Sequence, residues 1–235
     1  MIKIEHFTFN AFQTRCTLIW DEAGNCVITD PGASGGSETA SLVSFIGSHG
    51  LTPSCILLTH CHFDHIYGVS DLARTYGIPV YMHKDEAFTL EKTNPYVCGA
   101  FGLPLPDISF TDAARYIKDG DIIEAGAMKF EVLETPGHTT GGVCYLERNG
   151  KILLSGDTIF AGAIGRTDHP GGDYDTIMKS IFGKLMSLDG DITVIPGHGP
   201  ASDIATERMT NPFLLPFNEP YEEEGIHRDS GSQGP

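Results

Sequence analysis

Ile56-Leu57-Leu58-Thr59-His60-Cys61-His62-Phe63-Asp64-His65 decides how this chain is read. The short apolar run opens after Pro53 and predicts a buried strand. Ile66, Val69, Leu72, Ala73 and Tyr76 then recur at helical spacing, with Gly77 as a stop, which predicts a helix. Three imidazoles and a carboxylate therefore sit on the turn between a strand end and a helix start. Alternate residues of an extended chain point the same way, so His60 and His62 can grip one ion while Asp64 and His65 face a second. Such groups packed together without a cation would crowd polar atoms that lack partners. The donor set suits zinc, iron or manganese. The same alternation turns Cys61 away, into packing. His6, His49, His83, His169 and His227 each stand alone and are expected to be surface groups or satisfied core groups.

The chain of 235 residues suits one domain with a large core. No apolar run approaches the length of a membrane span. The N-terminal Met1-Ile2-Lys3-Ile4-Glu5-His6-Phe7 alternates like a strand and lacks the apolar core of a signal peptide, so a cytoplasmic protein is expected. Six cysteines form no Cys-x-x-Cys pair and are expected to be free thiols. A formal net charge of −16 argues against nucleic acid or an anionic membrane surface as partner.

Order along the chain repeats. Cys16–Trp20 and Cys26–Thr29 flank a turn, Asp30 follows, then a helix from near Ser37 to His49, then the strand leading to His60. In the second half, Val143–Leu146 and Lys151–Leu154 flank Asn149-Gly150. Asp157 follows, then a helix from about Asp173 to Leu188, then a strand, Ile192–Ile195, leading to His198. Two similar β halves packed together, with helices outside and polar strand ends along one edge, are expected. Asn94–Phe110, rich in Pro and Gly, is expected to be a loop that forms a lid or pocket wall. The expected domain spans 1–215, and 216–235 is expected to be a loosely ordered polar tail.

His138 in Pro136-Gly137-His138, Asp157 in Gly156-Asp157 and His198 in Gly197-His198 each follow a strand and a glycine. With the H-x-H-x-D-H run, this set resembles the metallo-β-lactamase-fold superfamily over roughly residues 2–215. The resemblance implies an α+β fold, a four-layer αββα sandwich with the metal site at one edge. It implies two divalent metal ions, with zinc the first expectation and iron or manganese as alternatives. His60, His62 and His138 would hold one, Asp64, His65 and His198 the other, and Asp157 would bridge them. Two cations lower the pKa of a shared water and polarise a carbonyl, which is hydrolytic chemistry with Asp64 and Asp157 at its centre. Asp30 would orient the ligand loop, with Thr59 and Thr139 as further candidates for that role.

Gly165-Arg166-Thr167-Asp168, Gly197-His198-Gly199-Pro200 and the segment 206–214 resemble the small glyoxalase II-like, YcbL-type hydrolases. That implies hydrolysis of a small-molecule thioester such as S-lactoylglutathione. Glyoxalase II enzymes proper carry a helical C-terminal domain that helps bind glutathione. Here 37 residues follow His198, and the last stretch is acidic, so glutathione binding does not transfer. Tyr67, Phe160 and Arg166 are candidate substrate contacts, with Arg166 also expected to pair with Asp168. The alternatives are an iron-dependent persulfide dioxygenase using His60, His138 and Asp157, a lactonase or β-lactamase, an RNA-processing nuclease, and a non-enzymatic flavodiiron-like or metal-sensing module.

Overall fold

Leu18-Ile19, Val27-Ile28 and Ile56-Leu57 are apolar at successive positions, which a strand sustains only when both of its faces are buried. The computed structural model, which describes residues 1–215, shows both faces covered. One six-stranded sheet runs in the order β1 (Lys3–Phe9), β2 (Thr14–Trp20), β3 (Asn25–Thr29), β4 (Thr52–Leu57), β5 (Val80–His83), β6 (Ala114–Ile117). Its first three strands pair antiparallel and β3 to β6 pair parallel. The second sheet contains β7 (Ile122–Ala125), β8 (Met128–Glu134), β9 (Val143–Glu147), β10 (Ile152–Gly156), β13 (Thr193–Pro196) and β14 (Ser202–Asp203). Its order is β14-β13-β10-β9-β8-β7, with only β10 and β13 parallel. Between β10 and β13 in sequence, β11 (Ile159–Phe160) and β12 (Ala163–Ile164) form a separate small ribbon.

Ile19, Val27 and Leu57 pack across the sandwich against Phe130, Tyr145 and Leu154 of the second sheet. Leu18, Ile28 and Ile56 pack on the other side with Leu42 and Ile46 of α1 (Gly36–Ser48), and with Ile66 of α2 (Phe63–Ile66) and Leu72 of α3 (Val69–Tyr76). Leu146, Leu153 and Val194 pack with Ile177 of α5 (Tyr174–Ser180) and Ile204 of α6 (Ile204–Thr210). The layers are therefore helices, sheet, sheet, helices, the αββα sandwich expected from the sequence. All six cysteines are free and buried, and Cys61 packs in the first helical layer as alternation predicts. Among the described residues, no helix is long and apolar enough to cross a membrane.

Three expectations need correcting in detail. The helix expected through Ile66–Tyr76 is broken, because Gly68 N–H donates to Pro31 O at 2.9 Å. A Cβ there would lie 2.9 Å from that oxygen, so the chain is pinned to the β3–α1 loop at this point. Asn94–Phe110 is not simply a loop. Its first half is α4 (Asn94–Phe101), which places Pro95 in its first turn, where the missing N–H costs nothing, and ends on Gly102 at φ 65. The Asp173–Leu188 helix is α5 followed by a wider π turn, Ile181–Leu185, which keeps Ile177, Ile181 and Leu185 buried. The expected tail at 216–235, and His227 within it, lie outside the described residues.

The repeated order in sequence becomes two βαβ units, β3-α1-β4 and β10-α5-β13, each with parallel strands. Parallel strands bring their carboxyl ends to one edge, where an open α/β sheet gathers ligands. Val143 N–H donates to Thr59 O at 2.8 Å and Tyr145 Oη donates to Leu58 O at 2.8 Å, which join the two sheets at that edge.

Candidate metal centre

Each candidate ligand follows a strand end. His60, His62, Asp64 and His65 lie between β4 and the end of α2, His138 follows β8, Asp157 follows β10, and His198 follows β13. The donor nitrogens of His60, His62 and His138 lie within 4.8 Å of one another, and so do the donor atoms of Asp64, His65 and His198. His138 Nε2 is 2.9 Å from His62 Nδ1, and His65 Nε2 is 3.2 Å from His198 Nε2. Asp157 stands between the two triplets. Its Oδ2 lies 3.5 Å from His138 Nε2 and 3.4 Å from His198 Nε2, while Oδ1 lies 3.5 Å from His65 Nε2. The structure thus brings all seven sequence candidates together.

The surroundings aim these donors inward. His138 Nδ1 meets Arg166 O at 2.8 Å and His198 Nδ1 meets Phe12 O at 3.1 Å. A carbonyl only accepts, so each Nδ1 is assigned a proton, which leaves Nε2 of each ring as the atom turned to the site. Asp30 accepts from Thr59 N–H at 2.8 Å and from Thr59 Oγ1 at 2.6 Å, and Thr59 Oγ1 lies 3.1 Å from His60 Nδ1. Its Oδ2 is also 3.3 Å from His65 Nδ1, an attractive separation whose geometry falls short of a hydrogen bond. Asp30 holds this position from a left-handed backbone, φ 46.

Charge is divided across the floor. Burial, reinforced by neighbouring imidazoles, holds His60 and His62 well below the usual histidine range, and burial also lowers His138. Their lone pairs are free at neutral pH. Burial would lower His65 and His198 too, but the facing carboxylates Asp64 and Asp157 outweigh it and raise them to about 9 and about 10. Burial opposes ionisation of Asp64, yet His65, His198 and Thr14 hold it down at about 2. Asp157 is likewise depressed against burial, by His65, His198 and His138. His60 Nε2 and Asp157 Oδ1 are buried without a hydrogen-bond partner, and the His62–His138 contact sets two ring nitrogens face to face. Divalent cations fit this donor set, because they satisfy those lone pairs and the carboxylates at once.

Several residues that shape the site gave no sequence signal. Glu86 is fully buried and accepts from Cys61 N–H at 2.6 Å, Thr139 Oγ1 at 2.5 Å and Gly141 N–H at 3.0 Å. Burial pushes its carboxyl up, against these bonds. Asn94 accepts from Phe63 N–H and donates to Cys61 O. Thr14 Oγ1 donates to Asp64 Oδ2 at 2.7 Å. His169, expected to stand alone, packs edge-on against His62 and His138 at 4.8 and 5.1 Å between ring centroids.

Glycines precede the distal ligands, as their spacing predicts. Gly197 is the one that abuts the candidate ligands themselves, since a Cβ there would lie 2.3 Å from Asp157 Oδ1 and 2.6 Å from His65 Cε1. Gly197→Ala should therefore push both groups out of place, costing roughly 1–3 kcal/mol of stability. It should also weaken cation binding. A thermal melt and a metal titration of the purified variant check this, and wild-type values in both would refute the crowding.

Above the floor lies a cavity of about 710 Å³. His62, Asp64, His138, Asp157 and His198 form its base, Arg166, Asp168 and His169 one rim, and Phe12, Phe63 and residues of α4 the walls. Arg166 reaches the cavity but is tied to Asp168 through two bonds, at 2.8 and 3.1 Å. Tyr67 and Phe160 do not line it. Tyr67 Oη donates to Pro104 O, and the Phe160 ring lies 6.4 Å from that of His198.

Comparison with known proteins agrees with this architecture. Residues 9–198 match the family described as the Metallo-beta-lactamase superfamily. The chain is 37% identical over 213 residues to the hydroxyacylglutathione hydrolase GloC of Haemophilus influenzae, covering 91% of this chain and 98% of that one. Among solved structures, BLEG-1 B3 metallo-beta-lactamase superposes with a TM-score of 0.82 at 34% identity, covering 90% of this chain and 99% of that one. A di-iron-bound form of TTHA1623 gives 0.76 at 34% identity, with 89% and 100% covered.

Proposed function

This chain belongs to the metallo-β-lactamase superfamily and is a metallohydrolase, and from that premise we propose that it cleaves small-molecule thioesters of the S-lactoylglutathione type. The observation that carries this reading is two three-residue donor clusters joined by one carboxylate beneath a cavity open to small molecules. In this reading His60, His62 and His138 hold one divalent cation, and Asp64, His65 and His198 the other. Asp157 is shared, and zinc is the cation, with iron or manganese fitting the same donors. Bound there, two cations supply Lewis acidity, which makes water acidic enough to attack at neutral pH and polarises the carbonyl.

The chain's own residues do the rest. Asp64 and Asp157 stay anionic at neutral pH, so the floor keeps its charge through the reaction. Asp30, through Thr59, fixes the ring of His60, and the carbonyls of Arg166 and Phe12 fix His138 and His198. Water adds to the carbonyl carbon, the C–S bond breaks, and the products are a carboxylate and a thiol. A thiolate needs little help to leave, because an ordinary thiol has a pKa of about 8.5. The second donor cluster favours this reading over a one-iron persulfide dioxygenase held by His60, His138 and Asp157, which leaves His62, Asp64, His65 and His198 without a ligand role. A reducing compartment such as the cytoplasm suits six free, buried thiols.

The test is an anaerobic assay of S-D-lactoylglutathione with metal-reconstituted protein. Turnover is expected, and His138→Ala should lower it by more than about 100-fold, since even partners of a ligand are worth 10–100-fold. Failure across several acyl thioesters, with cleavage of lactones or phosphodiesters instead, would refute the thioesterase reading.

A further inference from the structure

One wall of the cavity is built of hydrocarbon. Tyr96, Val97, Ala100 and Phe101 recur along α4 at spacings that share one helix face, and Leu103 continues the surface past Gly102. Tyr96 and Phe101 are 64% and 75% exposed, a large apolar area left in water beside a site whose floor is polar. Phe12 also lines the cavity, edge-on against Phe63 at 5.0 Å. The wall is held rigidly to the ligand turn: Asn94, at the start of α4, bonds both Cys61 and Phe63, and Thr93 Oγ1 donates to Pro170 O. Among the described residues lining the cavity, the only Lys or Arg is Arg166, whose charge Asp168 already answers. No free side-chain cation is therefore offered to a carboxylate on this wall.

Resting on the thioesterase reading, we propose that α4 and Leu103 form an acyl-binding subsite for uncharged, apolar acyl groups of medium chain length. The carbonyl reaches the floor and the hydrocarbon lies along Tyr96, Val97, Ala100 and Phe101. Among thioesters the site accepts, acyl groups larger and more apolar than lactoyl are then bound more tightly, and discrimination grows with chain length because each buried methylene adds a fixed increment of transfer free energy.

Two series on one neutral thiol, N-acetylcysteamine, test this with the metal-loaded protein. The first is a set of 2-oxoalkyl thioethers, which carry the carbonyl but no thioester bond, titrated by calorimetry. Dissociation constants should fall roughly two- to fourfold per added methylene from the four- to the ten-carbon chain. The double variant Tyr96→Ser/Phe101→Ser should flatten that slope and weaken the longest ligand by about tenfold. Both positions are exposed, so the fold tolerates the change. Affinity independent of chain length, or a slope unchanged in the double variant, overturns the subsite. The second series is the matching acyl thioesters. Cleavage with kcat/KM rising along the same series supports the subsite and the thioesterase reading together. Length-dependent binding of the thioethers with no thioester cleaved would keep the subsite and refute the thioesterase reading.

Discussion

Asp157→Ala is expected to cut turnover by well over 100-fold and to weaken cation binding at both clusters, whereas His198→Ala should weaken it at one. The scale follows from the 10–100-fold already lost when only a ligand's partner is removed. The asymmetry follows from position. Asp157 faces His138 on one side and His65 and His198 on the other, each at 3.4–3.5 Å, while His198 belongs to a single cluster. The variant also removes a negative charge that holds His65 and His198 up, so both lose part of that elevation. Metal content of the reconstituted variants, read beside thioester hydrolysis, separates the cases. Full loading and near wild-type turnover in Asp157→Ala would remove the shared carboxylate from the mechanism.

What was legible in the sequence was whatever local spacing encodes. His60, His62, Asp64 and His65 lie within six positions, so alternation and a helix start are enough to split them between two clusters. The distal ligands needed two further signals, a glycine after a strand at His138, Asp157 and His198 and the resemblance that assigns them roles; the repeated order, which becomes two βαβ units with parallel strands, covers only Asp157 and His198. The groups that hold the ligands were not legible. Glu86 sits in Lys84-Asp85-Glu86, a run that looks like a solvated turn, and its burial arises only because that turn folds back under Cys61 and Gly141. Thr14 and Asn94 are likewise distant in sequence from the groups they bond. His169 stands alone in the chain yet packs on two ligands, because the Arg166–Pro170 turn returns to the floor. The Pro and Gly of Asn94–Phe110 suggest a loop, yet Pro95 and Gly102 stand at the first turn of α4 and just past its last, the positions a helix tolerates.

The hidden carboxylate makes the sharpest stability prediction. Glu86→Ala removes the acceptor for Cys61 N–H and Gly141 N–H, two buried backbone donors on different ligand loops, as well as for Thr139 Oγ1. A buried donor left unpaired costs about 1–3 kcal/mol, so the two amides together predict a loss of roughly 2–6 kcal/mol. For a chain of this size that lowers the melting midpoint by roughly 5–20 °C. Because Cys61 lies between His60 and His62, and Thr139 follows His138, the same change loosens three candidate ligands, and cation affinity should fall about 10–100-fold. Glu86→Gln keeps the shape and one acceptor oxygen but turns an amide toward a second donor, so its losses should fall between those of the wild type and Glu86→Ala. Thermal denaturation and metal titration of the three proteins give the order. A midpoint for Glu86→Ala within a degree or two of the wild type would show that water or a neighbouring group takes over the carboxylate's bonds.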